Sequence, residues 1–207
     1  MTWKSTLLAG IAVPTLTIAL TACSSDDDSG IAIDGAPDGF SVTEPGSELS
    51  VDDTAHVVTK HSDGPTRFFD LGPVTFRDLP ADAAELNGGN DDVDHFVCVG
   101  WDVTYRGDAG NGTNPDDERP VADPQVTAVG EQGQPANSVM MDLSDTCGSR
   151  DDELPDSSGD LEVDHTYKAT KLSYVGKDGK GVDPTGIKFS FSGDIPGLED
   201  PEDITWN

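Results

Sequence analysis

Apolar residues recur at every second position over residues 93–106. Val93, His95, Val97, Val99, Trp101, Val103 and Tyr105 share one face, with Asp94, Asp102, Thr104 and Arg106 on the other. A period of two places side chains on alternate faces of a strand, whereas a helix would scatter them around its axis. Phe96 and Cys98 are apolar exceptions on the polar face, which predicts a central strand covered on both sides near its middle. Shorter runs of the same kind predict strands over residues 54–60, 66–70, 73–78, 125–129, 138–143, 166–175 and 187–192.

The punctuation between these runs is turn chemistry. Lys177-Asp178-Gly179-Lys180 carries a strong turn signal, although the glycine-rich stretch to residue 186 makes the connection longer than a tight hairpin. Residues 80–86 suggest one or two helical turns, with Pro80 suited to a first helical position and Asn87-Gly88-Gly89 stopping the helix. Residues 107–124 and 148–160 are rich in Gly, Pro, Asn and Asp and read as long solvated loops. Short strands at this spacing favour an all-β sandwich or barrel.

The start of the chain has a different pattern. Lys4 precedes a mainly apolar run over residues 7–20, which is interrupted by Pro14 and followed by Leu20-Thr21-Ala22-Cys23. A basic head, a short apolar core and small residues before a cut are what a secretory signal needs. The run, about 14 residues, is short for crossing roughly 30 Å of hydrocarbon. Leu20-Thr21-Ala22-Cys23 resembles a bacterial lipobox. That resemblance implies cleavage between Ala22 and Cys23, diacylglycerol on the Cys23 thiol, and a mature chain held on the extracytoplasmic face of the cell membrane. Two acyl chains hold a protein stably where one binds marginally. The expected organisation is therefore a signal peptide over residues 1–22, a lipidated Cys23 and flexible tether over 23–48, and one sandwich domain over 49–207 ending in an irregular C-terminal tail. The tether reading rests on the Ser, Gly, Pro and Asp content of residues 24–48, in which Ile31, Ile33, Phe40 and Val42 are the few apolar residues.

Assigning Cys23 to lipid leaves Cys98 and Cys147, an even pair in an oxidising compartment. One disulfide between them is expected. Across 49 positions it would contribute about 4 kcal/mol in the chain-entropy model. Two buried free thiols are the alternative.

Composition narrows the function classes. The chain of 207 residues carries 12 basic and 40 acidic side chains, a formal charge of -28. Such a surface repels phosphates, so no nucleic acid partner is expected. No His-Glu-x-x-His, Gly-x-Ser-x-Gly or phosphate-cradling glycine motif occurs, so the chain is not expected to be an enzyme or to need a cofactor. His56, His61, His95 and His165 are read as packed or solvated residues, with metal ligation as the alternative. The acidic stretch 87–94 offers the hard oxygens calcium prefers, which makes Asp91, Asp92 and Asp94 candidate ligands, against solvated loop charge as the ordinary reading. Arg106-Gly107-Asp108 matches an adhesion tripeptide by letters only.

A second resemblance spans roughly residues 46–192. It is carried by the stretch Gly46-Ser47-Glu48-Leu49-Ser50-Val51-Asp52-Asp53-Thr54-Ala55, the long strand Phe96-Val97-Cys98-Val99-Gly100-Trp101-Asp102-Val103-Thr104-Tyr105, and the late run Tyr167-Lys168-Ala169-Thr170-Lys171-Leu172-Ser173-Tyr174-Val175. Together these are similar to exported proteins with a telokin-like, immunoglobulin-like antiparallel sandwich. That group includes many actinobacterial lipoproteins and the mycobacterial secreted immunogen family. The resemblance implies that fold and no catalytic residues. The functional expectation is a non-enzymatic envelope lipoprotein, bound to the membrane through Cys23 and presenting a β-sandwich to an envelope partner. The alternative is a lipoprotein that binds a small solute or, weakly, calcium.

Overall fold

A computed structural model describes residues 30–60, 64–86, 89–109, 121, 123–139, 146–148 and 152–207. Residues 1–29 with Cys23, His61, and residues 110–120, 122 and 149–151 of the two long loops lie outside the described residues. Among the described residues eight strands form two four-stranded sheets. One sheet takes β2 (Ala55–Lys60), β3 (Thr66–Pro80), β4 (Val93–Asp108) and β6 (Thr166–Gly176), in that order and antiparallel throughout. The other takes β1 (Glu48–Leu49), β8 (Ile204–Trp206), β7 (Gly186–Ser190) and β5 (Gln125–Val129); here β1 runs parallel to β8 and the remaining pairs are antiparallel.

The two sheets share one core, so the molecule is an all-β sandwich. Val97, Val99, Trp101, Val103 and Tyr105 of β4 meet Ile187 and Phe189 of β7 and Ile204 and Trp206 of β8. Alternation along each strand supplies these inward residues. The expected double covering of β4 is present as well. Phe96 and Cys98 pack on the outer side with Ala84, Val93 and Leu172. Val93 belongs to this outer group, not to the inner row in which the period placed it. The register with β6 shifts between Val93 and His95, and a one-residue slip moves a side chain to the other face.

The two runs expected as separate strands over 66–70 and 73–78 are one strand, β3, with an irregularity where Leu71 pairs Val103 and Val74 pairs Trp101. Gly72 and Pro73 fill the bulge. Pro73 cannot donate to a ladder, so the sequence reads as a break. Gly72 takes a φ of 108°, and a Cβ there would lie 2.3 Å from the Asp53 carbonyl oxygen.

Two other expectations are corrected at the ends of the domain. Within the stretch read as tether, residues 30–43 pack on the outer face of β2 and β3. Ile31 and Val42 exchange backbone hydrogen bonds of 2.7 and 2.9 Å, and Ile33 and Val42 are buried against Val58, Phe68, Ile195 and Leu198. Four apolar residues are few for a free chain, but Val58 and Phe68 present an apolar outer face that they cover. The C-terminal segment, read as irregular, supplies β8 in the interior of its sheet. Trp206 is fully buried, with its indole N–H donating to the Asp53 carbonyl at 3.1 Å.

The helical turns expected over 80–86 are bends and hydrogen-bonded turns instead. The Asn90 side chain organises them, accepting from Leu86 N–H at 3.0 Å and donating to the Ala81 and Ala84 carbonyls. The Asp178-Gly179 turn is as expected, with φ positive at both residues, 59° and 72°. It leads the chain from one sheet to the other.

Candidate functional site

Cys98 on β4 and Cys147 form a disulfide. Arg77 of β3 donates through Nη2 to the Cys147 carbonyl at 2.9 Å and the Thr146 carbonyl at 3.4 Å. The bond and the arginine together fix the 146–148 segment over the outer face of the sheet. Upstream, residues 137–139 run along the free edge of β6: Val139 N–H donates to the Leu172 carbonyl at 2.8 Å, and Ser173 Oγ donates to the Asn137 carbonyl at 2.5 Å. The remainder of the strand expected over 138–143 lies outside the described residues.

Where β6 and β5 face one another at the open side of the sandwich there is a groove of about 480 Å3. Its floor is Trp101 and Val103, its walls include Leu154, Val126 and Cys147, and its charged side chains are Asp123, Glu153, Lys168 and Lys171. The register explains the opening. Ala169 lies directly opposite Trp101, and so small a side chain at a sheet edge leaves space beside the indole, although Trp101 itself is largely buried. Lys171 pairs with Val99 and therefore points between the sheets. Its ammonium donates to the Val126 carbonyl of the facing sheet at 3.0 Å. Lys168 points outward and is held by Asp102 at 2.6 Å.

Asp123 stands at the other wall. Burial among its neighbours, and secondarily the charge of Asp156, raise its carboxyl above the ordinary value, although part of its surface remains exposed. The negative charge of Asp156 thus disfavours ionisation of Asp123.

The calcium candidates Asp91, Asp92 and Asp94 are not brought together. Asp94 hydrogen-bonds His95 at 2.9 Å. The Lys177 ammonium donates to the Asp91 carbonyl at 2.7 Å, and Lys177 N–H donates to the Asp92 carbonyl at 2.8 Å, so a lysine lies against this loop. Among the described residues no three His, Cys, Asp or Glu side chains converge as a metal site. The described histidines are likewise separate. His56 contacts Asp70 at 2.6 Å, and the His165 ring packs on Tyr167 with centroids 4.6 Å apart.

Arg106-Gly107-Asp108 is a structural element. Asp108 is buried, accepting from Arg67 Nε at 3.0 Å and from the Tyr105 hydroxyl at 2.7 Å. Burial and that bond push the Tyr105 hydroxyl well above its ordinary value. Arg106 turns to Asp164 at 2.7 Å. Two of the three groups are therefore engaged within the fold.

The groove was not legible in the sequence. Its floor residue Trp101 falls in the alternating row of the long strand, and nothing local signals that the residue across from it is an alanine. Comparison with known protein families, curated proteins and solved structures finds no match to this chain.

Proposed function

We propose that this chain is a non-enzymatic lipoprotein, anchored through diacylglycerol on Cys23 at the extracytoplasmic face of the cell membrane, whose immunoglobulin-like, telokin-like sandwich serves as a binding module. The observation that carries the reading is the division of the cysteines. Cys98 and Cys147 bond to each other, as suits an oxidising compartment, and the lipobox Leu20-Thr21-Ala22-Cys23 accounts for the third. Among the described residues no helix is long and apolar enough to cross a membrane; the proposed anchor is the lipid on Cys23.

The packed segment starting at Gly30 refines this reading. Seven peptide steps separate Cys23 from Gly30, which at full extension is about 25 Å. On this proposal the sandwich sits close to the bilayer rather than at the end of a long tether.

Metabolic labelling with palmitate tests the anchor. Cys23→Ser should lose the label and membrane retention while the sandwich keeps its melting transition. Retention of the variant on membranes at the wild-type level would overturn the proposal. A second reading, binding of a small solute, is favoured by the groove over Trp101, whose volume lies within the range of ligand pockets.

A further inference from the structure

The groove at the open side of the sandwich combines features that the packing of the fold does not require. Ala169 lies opposite Trp101, between Tyr167 and Lys171 on the same face of β6. A larger residue there would close the side of the core, yet the position is left small. Among the described residues no buried side-chain nitrogen or oxygen lacks a hydrogen-bond partner, and the Trp101 indole N–H finds no acceptor among them. It therefore opens on the groove. A tryptophan N–H that is enclosed by protein ordinarily has a partner.

Two of the groove's charges, Lys171 and Asp123, lack an oppositely charged partner among the described residues. Lys171 makes its hydrogen bond to a neutral carbonyl, and among the described residues it has no carboxylate partner. Asp123 has another acid, Asp156, as its principal charged neighbour. The lysine would gain from an anion and Asp123 from a cation. The ammonium lies 3.0 Å from the Val126 carbonyl, and Asp123 is three residues before Val126. At no more than about 3.6 Å per residue, the chain from Asp123 to Val126 spans at most about 11 Å.

From this arrangement we infer that the groove binds a small zwitterion of the amino acid or dipeptide class, its carboxylate on Lys171, its amine toward Asp123, and its apolar side chain over Trp101. The inference rests on the binding-module reading and does not depend on the lipid anchor. An inward lysine at a sheet edge also discourages strand addition from another chain. That role alone predicts aggregation when Lys171 is replaced, but no selectivity among small ligands.

The full chain, purified in detergent micelles, is titrated calorimetrically and by tryptophan fluorescence with leucine and leucyl-leucine. Their N-acetyl and carboxamide derivatives, each lacking one charge, are titrated in parallel. At least one zwitterion should bind and shift the emission, with each blocked derivative weaker by about tenfold or more. Ala169→Leu should abolish binding with an unchanged melting transition. Should that variant fail to fold, Lys171→Gln supplies the decisive reading: the preference for a free carboxylate over the carboxamide should vanish while the preference for a free amine persists. No binding by any probe, equal binding of free and blocked forms, or an unaltered preference in Lys171→Gln would overturn the inference. Palmitate labelling at Cys23 is read separately, so failure of the groove and failure of the anchor are distinguishable.

Discussion

Two segments cover the outer face of the larger sheet, one near each edge, and different forces hold them. At the β2 and β3 side, residues 30–43 are held by apolar packing of Ile33 and Val42 on Val58 and Phe68, and by backbone bonds such as Thr43 N–H to the His56 carbonyl at 2.8 Å. At the β4 and β6 side, residues 146–148 are held by the Cys98–Cys147 bond and by Arg77. Water exclusion suffices where four apolar residues meet Val58, Phe68, Ile195 and Leu198. The second segment brings little apolar surface of its own, and a covalent bond fixes it instead. Only the second cover should therefore respond to a reductant.

The largest effect is expected from Phe68→Ala. Phe68 is fully buried beneath the N-terminal segment, and its truncation should lower stability by about 3–5 kcal/mol. Denaturant unfolding would measure the loss, and limited proteolysis should newly cleave residues 30–43. A loss below about 1 kcal/mol would mean that the segment contributes little packing.

Next is removal of the disulfide. Cys147→Ala should cost about 2–4 kcal/mol, with increased proteolysis confined to the 137–148 side. Dithiothreitol should reproduce the effect in the wild type and leave Phe68→Ala no worse at residues 30–43. Equal cleavage of both covers on reduction would break the comparison. Arg77→Gln, which removes hydrogen bonds to the Cys147 and Thr146 carbonyls, should cost about 1–2 kcal/mol in the oxidised protein. Its effect should shrink once the disulfide is reduced, because the segment it clamps is then already released.

The smallest effects are those of pH. Asp123 is raised by burial and by Asp156, so the folded state holds its proton more tightly than the unfolded chain. Stability from this group is present below the unfolded value near 4 and is lost as pH rises through the raised folded value. Asp203 behaves oppositely. Burial alone would raise it, but hydrogen bonds from Lys188 and Ser190, together with the Lys188 charge, bring it below the ordinary value. Its contribution is present above the unfolded value and lost as pH falls through the lowered one. Melting temperatures across pH 3–7 should therefore rise at the neutral end in Asp123→Asn and fall there in Asp203→Asn. The same sign for both would contradict these environments.

The sequence by itself determined what depends on neighbouring residues. Alternation over residues 97–105 gave the central strand because period two is a local consequence of extended backbone, and Asp178-Gly179 gave its turn because both residues tolerate positive φ. Cysteine parity gave the Cys98–Cys147 bond once Cys23 was assigned elsewhere. Tertiary structure decided the rest. Ile33 and Val42 look too sparse to order a chain until Val58 and Phe68 present the surface they cover, and Ile204 to Trp206 is too short to read as a strand until β7 and β1 flank it. The groove is the extreme case. Trp101 and Ala169 are 68 positions apart, and only the register of β4 on β6 sets the small residue beside the large one, because pairing across strands is specified by the whole sheet and by no local stretch of chain.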